Sequence, residues 1–85
     1  MDYMGKKIHS DEEKLFLKRF GKNVKNIREK LNLTQAELAF RMGMTTQTLS
    51  DIENGKTDCQ QTTAYLIAKA LGIKLNELYL FEDNQ

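Results

Sequence analysis

Thr34-Gln-Ala-Glu-Leu-Ala-Phe-Arg-Met-Gly-Met-Thr-Thr-Gln-Thr-Leu-Ser-Asp-Ile-Glu53 is the stretch that decides the fold. It reads as two short helices joined by a tight turn. Thr34 is a good N-cap, and Glu37 three residues on completes a capping box. Leu38, Ala39 and Met42 then recur at helical spacing. Gly43 stops the first helix, because a chain that turns sharply there needs positive φ and no Cβ. Thr45 caps a second helix whose inner residues are Leu49 and Ile52, and Asn54-Gly55 ends it. Ala39 is small where the two helices must approach closely.

A small residue, a turn glycine and two aliphatics at this spacing form a helix-turn-helix pattern. The residues Thr34-Gln-Ala-Glu-Leu-Ala39, Gly43, Thr45, Leu49-Ser-Asp-Ile-Glu53 and Asn54-Gly-Lys56 resemble phage-repressor, Xre/Cro-type helix-turn-helix transcriptional regulators. The resemblance continues through Ile67-Ala-Lys-Ala-Leu-Gly-Ile73 and Leu75-Asn-Glu-Leu78, and it covers roughly residues 20–80. It implies an all-α, five-helix lambda-repressor-like domain, here with a longer N-terminal helix. The domain is expected over residues 11–81, with the motif at about 34–54, a tail at 1–10 and a polar tail at 82–85.

Upstream, Ser10-Asp-Glu-Glu13 is a second capping box, with acids in the first turn that complement the helix dipole. Phe16, Phe20, Val24, Ile27 and Leu31 then fall on one face, so a first helix is expected from about Asp11 to Leu31. Gly21 inside it costs about 1 kcal/mol relative to alanine and suggests a bend. The helix also carries Lys14, Lys18, Arg19, Lys22, Lys25, Arg28 and Lys30. In the family that the motif resembles, a basic residue at the position of Arg28 often pairs with an acid at that of Glu53. A structural ion pair between these two is therefore expected, with a phosphate contact by Arg28 as the alternative. Lys6-Lys7 and His9 read as solvated residues.

Downstream, Cys59 stands in a loop where relatives often have proline, and it reads as a packing residue rather than a redox sensor. Gln60 or Gln61 opens a fourth helix with Ala64, Ile67, Ala68 and Leu71 inside, and Gly72 ends it. Ile73, Leu75, Leu78, Tyr79, Leu80 and Phe81 suggest a short fifth helix. Leu75 and Leu78 are expected to pack inward. Tyr79 and Phe81, with Phe16 as a lesser candidate, are expected to meet a second subunit, because relatives with this ending often pair through the fifth helix.

The composition limits the chemistry. The 85 residues contain one Cys, one His and no Pro. One Cys excludes an internal disulfide and a multi-cysteine metal site. No nucleophile with its base, carboxylate pair or phosphate-binding glycine loop is present, so no enzymatic activity, cofactor or metal is expected. No secretory signal or membrane-spanning run is visible, and a cytoplasmic protein is expected. The sequence ends just past the fifth helix, so a stand-alone regulator without an effector domain is expected. Net charge is only +1, but it is polarised. Residues 1–31 hold nine basic against five acidic residues, and residues 32–85 hold four against seven.

A DNA reader needs N–H groups at a helix N-terminus to hold a phosphate, and polar side chains on a helix that fits the major groove. By the resemblance, Gln35 hydrogen-bonds the DNA backbone. Thr45, Thr46, Gln47, Ser50 and Asp51 lie at the start and outer face of the second motif helix, where base edges are read. Asn54, Lys56 and Thr57 suit phosphate contacts. One departure is plain: arginine is common among these reading positions in relatives, yet no residue from 45 to 55 is basic. The expected function is a sequence-specific transcriptional regulator, repressor or controller in type. It would bind double-stranded DNA as a homodimer on a two-fold symmetric operator. The alternative is a protein-interaction module, antirepressor- or antitoxin-like, with a regulatory protein partner and weakened DNA binding.

Overall fold

The computed structural model describes residues 8–81. The expected tail at 82–85 and most of the expected tail at 1–10, Lys6 and Lys7 included, lie outside the described residues. Helix α1 spans Asp11–Lys30, α2 Gln35–Met42, α3 Thr46–Glu53 and α4 Gln61–Leu71, and a 3-10 helix covers Leu75–Tyr79.

Both capping boxes form. Ser10 Oγ accepts from the Glu13 N–H at 3.1 Å, and Glu13 Oε1 accepts from the Ser10 N–H at 2.9 Å. Thr34 and Glu37 make the same pair of bonds at 3.0 and 2.8 Å. Those bonds favour the ionised carboxylate and hold the Glu37 pKa below its ordinary value. Gly43 takes φ +69° at the end of α2, which turns the chain sharply toward α3.

The core lies where the helices converge. Val24, Leu38, Leu49, Ile67 and Leu78 are fully buried, and Phe20, Ala39, Ile52, Ala64, Ala68 and Leu71 close around them. At Gly21, where the sequence suggests a bend, α1 runs on as one continuous helix. The residue is buried because α3 crosses there. A β-carbon at Gly21 would stand 2.3 Å from the Ile52 carbonyl oxygen and 2.5 Å from that of Glu53.

The expected fifth α-helix is the 3-10 helix, so the fold has four α-helices among the described residues. Its five residues are too few for a stable α-helix, and 3-10 geometry suits short pieces. Its end is fixed from outside. Asn23 Nδ2 donates to the Glu77 and Leu78 carbonyls at 3.1 and 2.8 Å, which caps the segment against α1. Leu78 enters the core, whereas Leu75, one turn earlier at the opening of the segment, remains 37% exposed, contrary to expectation, although residues three apart share a face of a 3-10 helix.

Phe16, Phe20, Tyr79 and Phe81 form an aromatic row where α1 meets the C-terminal segment. Ring centroids are 6.4 Å apart for Phe16–Phe20, 5.6 Å for Phe16–Phe81 and 5.4 Å for Phe20–Tyr79. Cys59 is half-buried and lines a cleft of about 290 Å³ with Phe16, Phe20 and Tyr79. Burial, helped by Asp58, pushes its thiol pKa up and keeps it protonated. His9, expected as a plain surface residue, is partly covered. Its Nδ1 lies 3.5 Å from Glu13 Oε1 and its Nε2 3.9 Å from Asp58 Oδ2.

Candidate nucleic-acid interface

The site begins with how α3 is held. Arg28 and Glu53 are only 6% and 5% exposed. Arg28 Nε donates to Glu53 Oε2 at 2.7 Å, and Nη2 donates to Oε1 at 3.1 Å, a two-pronged pair behind α3. The Glu53 hydrogen bond raises the Arg28 pKa above its ordinary value against the opposing pull of burial. Arg28 Nη1 also donates to the Leu33 carbonyl at 2.7 Å, just ahead of α2. Gln35 joins the network, its Nε2 donating to Glu53 Oε1 at 2.8 Å. One carboxylate thus ties α1, the start of α2 and the end of α3 together.

This places Gln35 differently from a free side chain reaching for DNA. Its amide nitrogen is committed inward. The backbone N–H groups of Gln35 and Ala36, in the first turn of α2, have no acceptor within the helix, as at any helix N-terminus.

On α3, Thr45, Thr46, Gln47 and Thr48 are exposed, whereas Ser50 and Asp51 are half-covered. Thr45 Oγ1 accepts from the Thr48 N–H at 3.1 Å as the helix cap, and it also meets the Thr48 hydroxyl at 2.9 Å. Gln47 Nε2 donates to Asp51 Oδ1 at 2.9 Å. Asp51 therefore steers the Gln47 amide, leaving Oε1 and one N–H directed outward. The four-residue spacing of Gln47 and Asp51 on a helix is the sequence signal for that bond. Asn54, Lys56 and Thr57 are exposed beyond α3. Asn54 Nδ2 folds back to the Ser50 carbonyl at 2.9 Å, closing the last turn.

An exposed polar helix, packed by Leu49 and Ile52 and braced by a buried ion pair, with a second helix N-terminus beside it, is the arrangement of a helix-turn-helix unit. The helix-turn-helix family model HTH_3 matches residues 24–78, well over half of the chain. The chain belongs to the helix-turn-helix family. It is a DNA-binding transcriptional regulator, and the family is not an enzyme class. The chain is 41% identical over 54 residues to an uncharacterized HTH-type transcriptional regulator of Methanocaldococcus jannaschii, covering 64% of this chain and 82% of the relative. It is 37% identical over 65 residues to the ImmF control region 10 kDa protein of Bacillus phage phi105, covering 76% and 72% of the two chains. Among solved structures it resembles the restriction-modification controller protein C.AhdI of Aeromonas hydrophila, with a TM-score of 0.72 and 29% identity over 73% of this chain and 94% of the controller. Among the described residues of this helix-turn-helix chain, no helix is long and apolar enough to cross a membrane.

Proposed function

We propose that the chain is a sequence-specific regulator, repressor or controller in type, whose residues 11–81 form one domain that binds a two-fold symmetric operator as a homodimer. The observation that carries this reading is the outward face of α3, presented on a braced helix with Gln47 already oriented by Asp51. In this reading α3 enters the major groove. Gln47 offers an acceptor and a donor to adenine, Thr46 offers its methyl group to thymine, and Ser50 and Asp51 line the same face. Gln35, Thr45, Asn54, Lys56 and Thr57 position the unit on phosphates, Gln35 through its backbone N–H.

Selection of bound sequences from a random DNA pool tests this directly: an operator with two inverted half-sites should emerge. Gln47→Ala is expected to weaken operator binding by about 1–3 kcal/mol and to relax one base position in each half-site. Equal affinity and an unchanged selected site would remove Gln47 from the readout.

The homodimer would form through the aromatic row and the C-terminal segment. Tyr79 is 43% exposed and Leu80 68%, whereas Phe81 is half-buried against Phe16 of its own chain. Tyr79 and Leu80, with the exposed edge of Phe16, are therefore the better partner-facing group. Symmetry would then set the two α3 helices about 34–36 Å apart, one turn of DNA. Sedimentation equilibrium should show wild type as a dimer. A Tyr79→Asp, Leu80→Asp variant that keeps its helical circular dichroism should be a monomer at the same concentration. A wild type that stays monomeric at high micromolar concentration would overturn this interface.

The protein-interaction alternative draws on one feature, the absence of any basic residue from 45 to 55. The two readings separate on the salt dependence of binding to random DNA, which is steep only for the DNA binder.

A further inference from the structure

We propose that Lys14, Lys18 and Lys22, continued by Lys25, form a second DNA contact: a basic ridge along α1 that takes backbone phosphates beside those held after α3. The inference rests on the DNA-binding reading above and extends it to a surface on which that reading does not depend.

Helical geometry defines the ridge. At 3.6 residues per turn, positions 14, 18, 22 and 25 project within about 40° of one line along α1 and span about 16 Å. All four side chains are exposed. Among the described residues, no carboxylate lies within ion-pair distance of any of them. Glu29 ends the line at its far end.

Packing then sets which way the ridge faces. Gly21 and Arg28 lie about 60–80° to one side of the Lys18 line, and both touch the end of α3: Gly21 at the Ile52 and Glu53 carbonyls, Arg28 at the Glu53 carboxylate. Asn23 and Phe20, which contact the 3-10 helix and Tyr79, lie on the opposite side of the buried face. The lysines therefore flank α3 and stand away from the C-terminal segment. The turn after α3 fixes the proximity. A β-carbon at Gly55 would stand 2.8 Å from Lys18 Cα, so the backbone of Asn54–Lys56 lies against α1 at the middle of the ridge. Asn54, Lys56 and Thr57 are the proposed phosphate contacts, and the ridge extends their line along the DNA.

Charge supplies the reason. Helix α3 holds no Lys or Arg, and the positive charge of the chain is concentrated in residues 1–31. Attraction to a polyanion must come from elsewhere than the reading helix, and this is the cationic surface next to it. Lys14, Lys18 and Lys22 precede residue 24, where the family match begins.

The test compares two double variants with equal loss of charge: Lys18→Gln, Lys22→Gln on the ridge, and Lys30→Gln, Lys69→Gln away from it. Binding of each to the selected operator is measured across a salt series, with circular dichroism to show that both are folded. The ridge variant should bind more weakly to every sequence, with the same base preferences. Its slope of log affinity against log salt should be shallower by about 0.9 for each contacting lysine lost from each bound protomer. The control variant should keep the wild-type slope. A ridge variant with the wild-type slope, or one no different from the control, overturns the ridge while leaving the DNA-binding reading in place. A wild type with no salt-dependent DNA binding overturns both.

Discussion

Glu53→Ala is expected to cost about 3–5 kcal/mol of folding stability, read as a drop in the urea midpoint at constant slope. The reason is what the substitution leaves behind. Arg28 is almost wholly buried, and two of its three hydrogen bonds end on Glu53. Without the carboxylate, a guanidinium stays in the interior with only the Leu33 carbonyl for company. Gln35 loses the acceptor of its amide as well. Arg28→Ala should be damaging for the mirror-image reason, since it leaves the carboxylate buried. The penalty belongs to the broken pair rather than to any net gain from having one. Replacing both residues with leucine should therefore recover much of the loss. The double-mutant cycle should show strong coupling, and additive single effects would mean that the pair does not brace α3. DNA binding offers an independent readout. The Arg28→Leu, Glu53→Leu protein should fold yet bind its operator less well, because the start of α2 and the end of α3 are no longer tied together.

Much of this arrangement is legible in the sequence, for local reasons. Ser10 and Glu13, Thr34 and Glu37 announce their helix starts because a capping box is satisfied within four residues. Gly43 announces the turn because only a left-handed residue continues the chain there. Arg28 and Glu53, 25 residues apart, carry no local signal, and only the family resemblance connects them. What sequence periodicity misses is the fine packing between elements. It cannot show that Asn23 would take the last carbonyls of the C-terminal segment and hold it as a 3-10 helix. It cannot show that Phe81 would turn against Phe16 while Leu80 faced outward. On α3, the Gln47–Asp51 bond was within reach of a simple i,i+4 rule. Asp51 thereby acts as a positioning group for Gln47.

Gly21→Ala gives the sharpest contrast between sequence propensity and structure. Helix propensity alone predicts a gain of about 1 kcal/mol, since glycine is a poor residue for the middle of a helix. The structure predicts a net loss. The new β-carbon would enter the space of two backbone carbonyls at the end of α3, at 2.3 and 2.5 Å. Backbone atoms cannot rotate aside as a flexible side chain can, so α1 and α3 must separate along their whole contact. Overpacking of this kind costs about 1–3 kcal/mol or more, which outweighs the propensity gain. The separation would also strain the Arg28–Glu53 bonds about two turns further along α1, and would lift the Asn54–Lys56 turn from Lys18. We therefore expect Gly21→Ala to unfold at lower urea than wild type, and Gly21→Val to be worse still. An exposed helical site supplies the control: Asn26→Ala, further along α1, should be neutral or slightly stabilising, because there propensity acts without a clash. A Gly21→Ala protein more stable than wild type would show that α3 does not cross α1 at this distance. It would also remove the packing on which the placement of the recognition helix depends.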